Sequence, residues 1–417
     1  MAARRLIPWL LLVAAALVMV LRAPVYLTGP NFWAEEGSLY FAVAWERPLW
    51  EALSYRPAGY LLWWANLSTA TAATLVRVGL VPLARAPQVT ALFALAAQLL
   101  PMAIIAWGRA ALWRDPPRRV IGIGVVLLGA LTDEIWLNTV NSQPWFVLAA
   151  ALLLLEPADA GRAGRVARAA ALAVAGLSAP VAGALTPLFA WRAWRARSRQ
   201  ALVEAGIVAA CALVQLWCVW LAARGGSALP ARGAGIDLGT FASLVWLRGL
   251  VAPLAGVSAA ERLAAGAAAV GPLWGLALLL LAAALVGWLA WGLAADERGL
   301  LAGAWALVTA VTWLAPIGDP RMLLRSPWSA SRYGFASGVL VLLMLLGATR
   351  PEAGTIRRAA SALVLAAALV RGAMLYPSAV RWRPGWPSWA TEVTARDTDP
   401  RRPLRIWPPP WTVTLRR

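Results

Sequence analysis

The chain has 417 residues, of which 61% are hydrophobic and only 14% charged, with a mean hydropathy of +0.67. That is far too much apolar surface for a water-soluble protein, and the apolar runs carry Pro, Gly and Ala without the alternation of a membrane barrel, so the expected fold is all-α and polytopic. The formal charge of +19 comes entirely from Arg, with no Lys and no His. Such a bias does not imply a nucleic-acid partner. The absence of His excludes an imidazole base, a His metal ligand and a Ser-His-Asp triad, leaving carboxylates, Tyr and Arg for chemistry.

Residues 1–5 are short and basic and Leu6 to Leu21 is apolar, ending at Arg22-Ala-Pro. No small-residue cleavage site follows, so the segment reads as an uncleaved signal anchor with its N-terminus in the cytoplasm. The loop after it, Phe32 to Trp50, then lies outside. It holds two adjacent carboxylates, Glu35 and Glu36, beside a membrane exit, which is costly unless they meet water, a cation or a proton acceptor.

From Ala58 to Pro82 the chain is apolar yet carries Asn66, Ser68, Thr69, Thr71, Thr74 and Arg77, with Tyr60, Trp63 and Trp64 at its start. This mixture predicts helices at the outer interface instead of a span. Gln88 to Gly108 is a span, and the basic turn after it, up to Arg119, is internal. Val120 to Leu137 runs out and Pro144 to Leu155 returns, with Asn138, Asn141, Ser142 and Gln143 in the outer turn. Asp133 and Glu134 sit just inside that turn, placed to pair with an external Arg or to join Glu35 or Glu36 around a cation. Asn138, Asn141 and Gln143 could bind a sugar or cap helices.

Two basic internal stretches, 157–168 and 191–200, bracket an apolar segment that must return to the side it left, as a hairpin or re-entrant pair broken at Pro180. Ala201 to Ala222 goes out, and its Cys211 and Cys218, seven apart on one helical face, read as small buried hydrophobes. Residues 225–271 are expected as a long external segment. Pro272 to Leu293 returns, Leu300 to Pro316 exits, Gly334 to Leu346 re-enters and Ile356 to Tyr376 exits, leaving 377–417 outside as a Pro-, Trp- and Arg-rich tail. The total is about 9–11 membrane helices at the usual span length, with 1–376 the membrane domain and the C-terminus extracytoplasmic. External Arg321, Arg325 and Arg332 lie at lipid head-group depth, where Arg grips phosphate bidentately; Arg332-Tyr333 opens a span directly after a polar loop.

The blocks NFWAEEGSLYFA, YRPAGYLLWW, NTVNSQPWFVLAAALLLLEP, GLSAPVAGALTPLFAWRAWR, SRYGFASGVLVLL and LRIWPPPWTVTL resemble, in this order, those of bacterial integral membrane proteins of the GT-C glycosyltransferase superfamily. In that superfamily an Asp or Glu of the first external loop acts as base or holds a divalent cation during transfer from a polyprenyl-phosphate sugar. The resemblance implies a GT-C-like fold, an enzyme of the bacterial cytoplasmic membrane, and a glycan or lipid acceptor outside. It implies Glu35 and Glu36 as catalytic or Mg²⁺/Mn²⁺-binding groups, Glu36 standing where the family carries Asp. Arg332, Tyr333, Arg321, Arg325, Asn138, Asn141, Gln143 and Tyr60 are then expected around the substrate. Two rivals make other predictions. A transporter or lipid flippase would use broken helices as a path, and an envelope-assembly scaffold would use the Trp-rich tail as its contact surface.

Overall fold

The computed structural model describes residues 2–129, 132, 134–158, 161–225, 236–267, 271–314, 319–325, 331–376 and 386–416. Among these the chain is all-α apart from one small antiparallel hairpin, Leu404–Arg405 with Thr412–Val413. Five helical segments are long and apolar enough to cross a membrane: Leu83–Trp107, Arg199–Arg224, Leu238–Ala255, Pro272–Ala290 and Thr355–Leu375. Leu6–Arg22, Gln143–Leu155 and Arg332–Ala348 are shorter apolar helices.

Two of these, Gln143–Leu155 and Arg332–Ala348, form the hub. In Gln143–Leu155 every residue from Trp145 onward is buried, and in Arg332–Ala348 every residue from Phe335 onward is buried. A helix apolar all round belongs inside, with other helices around it. The longer helices present apolar side chains outward instead, among them Leu213, Leu216 and Trp217, Leu273 and Trp274, and Leu363, Val370 and Met374. Such a broad exposed apolar surface fits a membrane-embedded protein.

The segment after Tyr60 forms the helix Trp63–Arg77. Its 15 residues are too few to span a bilayer core. It is covered by protein as well: Ala65, Asn66, Ser68, Thr69, Ala70, Ala72 and Ala73 are buried.

The expected break at Pro180 is present. The helix Arg162–Ser178 stops at extended Ala179, and the 3₁₀ turn Pro180–Leu185 leads into Thr186–Ala196. Protein closes over the freed backbone groups: the Gln215 side-chain amide donates to the carbonyls of Gly176 and Leu177, both at 3.0 Å, and the Ser178 hydroxyl accepts from the Trp64 N–H at 3.1 Å. Cys211 and Cys218 are buried free thiols. A side chain on Gly176 would place Cβ 2.5 Å from Cys211 Cβ, so the bare glycine lets the helices touch.

Residues 225–271, expected as a long external segment, contain the 18-residue helical rod Leu238–Ala255, which is long and apolar enough to cross a membrane. Asp237 caps the rod through its carboxylate, which accepts from the Thr240 N–H at 2.8 Å. Arg248, Gly249 and Pro253 interrupt the apolar run and disguise it in the sequence.

The described part of the tail packs against the rest of the chain. Trp389, Leu404, Ile406, Val413 and Leu415 share one apolar cluster with Phe32, Phe41, Ala44, Ala70, Ala73 and Ala86 of the acidic loop and its neighbours.

Candidate functional site

The acidic loop is built against the tail. Asn31 accepts from the Phe32 N–H through Oδ1 at 2.8 Å, and its amide donates to the carbonyls of Pro387 at 3.0 Å and Arg405 at 3.1 Å. The Trp407 N–H donates to the Phe32 carbonyl at 3.0 Å, and the Ala34 N–H donates to the Trp407 carbonyl. Two bonds on either side of Trp33 thus hold one stretch of backbone against the tail. Ala34 takes φ +33°, a region that non-glycine residues rarely enter.

Directly after this turn, Glu36–Phe41 forms a π-helix, a widened turn often found at functional sites. Gly37 is needed there, because a Cβ would lie 2.7 Å from Phe32 Cβ and 2.9 Å from Ile406 Cδ1.

The turn separates the two carboxylates. Glu36 points inward and is 2% exposed. Its Oε1 accepts from the Thr139 N–H at 2.7 Å and from the Thr139 hydroxyl at 2.5 Å, while Oε2 accepts from the Trp33 N–H at 3.5 Å. Ser68 in turn donates to the Thr139 hydroxyl at 3.0 Å. Burial raises the Glu36 pKa above the ordinary carboxyl value, and the bonds from Thr139 and Trp33 counter it only in part. Glu36 therefore ties the acidic loop to the outer turn at 139 and has little freedom to meet a substrate.

Glu35 is different. It is half-buried and, among the described residues, accepts no hydrogen bond. Its charge reaches the Arg332 guanidinium and the Tyr40 phenol. Arg332 Nη1 donates to Glu134 Oε2 at 3.0 Å, with both side chains partly open to solvent, and its guanidinium lies 5.1 Å from the Tyr333 ring. Tyr40, Tyr60, Leu62, Ala65 and Val140 form an adjoining cluster with half-buried Trp33 and Tyr55 against it. Burial, then the neighbouring Tyr60, Tyr55 and Glu35, keeps the Tyr40 phenol well above its usual pKa, so it stays a protonated donor. Glu35 thus lies within electrostatic reach of an arginine on one side and of a tyrosine cluster on the other.

Other expected residues fall elsewhere. The Asn138 and Asn141 amides both donate to the Glu134 carbonyl, at 2.7 and 2.9 Å, and the Asn141 N–H donates to Asn138 Oδ1 at 3.0 Å. Both side chains are buried and committed to shaping the turn, which leaves no face for a sugar. Half-buried Gln143 reaches only the Val140 carbonyl, at 3.5 Å. Arg321 is exposed and sits 3.9 Å from Asp237, the cap of Leu238–Ala255. Asp133 and the Arg325 side chain lie outside the described residues.

Glu35 and Glu36 diverge, and among the described residues no three His, Cys, Asp or Glu side chains converge as a metal site.

Sequence reading passed over two arginines inside apolar helices, buried Arg248 and half-buried Arg371. A single Arg within an otherwise apolar helix was the available signal. Comparison with protein-family models, curated proteins and solved structures gives no match to this chain.

Proposed function

We propose that the chain is a membrane glycosyltransferase that moves a sugar from a polyprenyl-phosphate donor to a glycan or lipid acceptor of the cell envelope, at the outer face of a bacterial cytoplasmic membrane. The observation that carries the proposal is the uncommitted Glu35 carboxylate beside the Arg332–Glu134 pair and the tyrosine wall. A site on that face has no access to nucleotide sugars, so a lipid-linked donor supplies the activated sugar.

Glu35 takes the proton from an acceptor hydroxyl as its oxygen bonds to the anomeric carbon. The bond from that carbon to the lipid phosphate breaks with inversion, and the phosphate leaves with the electron pair. Arg332 commits N–H groups to Glu134 and to Tyr333 and turns its remaining ones to the charge that develops on the phosphate. Half-buried Trp33 and Tyr55 offer an aromatic surface for the sugar ring, backed by buried Tyr40 and Tyr60. Glu36 positions this arrangement from below and takes no proton.

The test is sugar transfer or slow donor hydrolysis by the purified protein in lipid nanodiscs, with a panel of polyprenyl-phosphate sugars, with and without divalent cation. Glu35→Gln is expected to lower turnover by about 10²–10⁴, the usual worth of a positioned base. A fully active Glu35→Gln enzyme sinks the assignment of the base. Wild-type protein that neither turns over nor binds any donor sinks the transferase reading.

A further inference from the structure

Beyond the acidic loop, a cavity of about 50 Å³ lies where the rod Leu238–Ala255 meets the start of Arg332–Ala348 and the end of Thr355–Leu375. Its lining includes Arg248, Trp313, Ser331, Phe335, Arg371 and Leu375. We propose that this cavity binds a phosphate oxyanion, either free or as the head group of a lipid.

The polar side chains that line it are donors. Trp313 is 1% exposed, and its indole N–H has no hydrogen-bond partner. A buried donor left unmade is costly, which marks the place where an acceptor belongs. Arg371 is anchored by its Nη2, which donates to the carbonyls of Pro253 at 3.3 Å and Leu254 at 3.1 Å. Arg248 is anchored in the same way by the Leu323 carbonyl. A guanidinium carries five N–H groups, so anchoring one edge of Arg371 orients the rest. The Ser331 hydroxyl already exchanges a hydrogen bond with Thr132 at 2.5 Å. Ser331 also stands at the N-terminal end of Arg332–Ala348, where helix N–H groups add positive potential.

Among the described residues no carboxylate lines the cavity; the charges of Glu261 and Glu134 reach Arg248 without entering the lining. Water needs acceptors as well as donors, and several waters would fit the volume. The polar groups of this otherwise apolar lining are two guanidinium groups, an indole N–H and a hydroxyl, a set that favours a ligand made of acceptors, and arginine forks match phosphate best. Leu375, 38% exposed, stands at the rim on the helix whose Leu363, Val370 and Met374 face outward. A lipid-borne phosphate would therefore enter from the apolar belt, and a free one from solvent.

The proposal does not depend on sugar transfer, and its test reads binding alone. Full-length protein in phosphatidylcholine nanodiscs is titrated calorimetrically with inorganic phosphate. In a second arm, nanodiscs doped with phosphatidic acid are examined for lipid retained by the protein in native mass spectrometry. Trp313→Phe keeps the ring and removes the donor, and Arg371→Gln removes a charge. Wild-type binding in at least one arm is expected, weakened about tenfold by either substitution, as for loss of one charge-assisted hydrogen bond. Binding of inorganic phosphate assigns a soluble ligand, and retention of phosphatidic acid alone assigns a lipid head group. No binding in either arm overturns the proposal, as does binding that Trp313→Phe leaves unchanged; that variant decides the matter if Arg371→Gln fails to fold.

Discussion

The two ends of the buried helix Gln143–Leu155 both meet inward-facing carboxylates, but they use them differently. At its C-terminal end, Glu156 accepts from the N–H groups of Arg109 at 2.7 Å, Ala110 at 3.3 Å and the Trp113 indole at 2.9 Å. Nearby, Glu204 is gripped by Arg168 at 2.7 Å, by Arg192 and by Gln200 at 3.0 Å, while Glu297 joins the Leu112 N–H at 2.8 Å to Arg350 at 3.2 Å. Each of these acids has several donors. At the N-terminal end Glu36 is held in the same manner, yet Glu35 next to it accepts nothing among the described residues. The contrast teaches that this fold can saturate buried carboxylates with donors, so the one it leaves open stands out as a candidate for chemistry.

The largest expected effect breaks the saturated end. Glu204→Ala strips Arg168 and Arg192 of their common partner and is expected to cost about 3–5 kcal/mol, the range for removing one member of a buried pair; chemical unfolding in detergent measures it. Glu35→Gln is expected to do the reverse, changing stability by less than about 0.5 kcal/mol while turnover collapses. A substantial loss of stability in that variant would place Glu35 with the structural acids and erase the distinction. Gly37→Ala drives a methyl into Phe32 and the tail's Ile406, and overpacking of this kind costs about 1–3 kcal/mol. Its activity is expected to fall with its thermal midpoint, because the turn that parts the two carboxylates is displaced.

The smallest effect is a pH dependence. Burial holds the folded Glu36 carboxyl above its ordinary value of 4.5, so the folded chain binds that proton more tightly than the unfolded chain. The resulting stabilisation is complete below the ordinary value and is lost as pH rises through the folded one. Wild type should therefore lose stability relative to Glu36→Gln as pH rises from acid to neutral, and thermal midpoints of the two proteins at both pH values show whether the difference moves that way.

Local signals in the sequence were readable. Pro180 after a small-residue run marked the broken hairpin, the spacing of Cys211 and Cys218 marked one buried face, and the adjacent acids marked the loop. The pairing of Glu134 with an arginine was among the expected possibilities, although nothing local selects Arg332 as the partner. What escaped was long-range or disguised. Asn31 meets Arg405 across 374 positions, a contact that no periodicity reports. Arg248 conceals a helix by lowering the hydropathy of its run. Asn138 and Asn141 have the chemistry of sugar ligands, and only the turn geometry shows both amides turned onto one carbonyl.

The docking of the tail on the acidic loop also constrains the path of the chain through a bilayer. Since Trp407 hydrogen-bonds to Phe32 and Trp389 to the Pro30 carbonyl, the two segments lie on a single side. Everything between them must then cross an even number of times. A crossing by Leu238–Ala255 therefore needs a return between the same two segments, and Pro272–Ala290, which packs against it, is long and apolar enough to supply one.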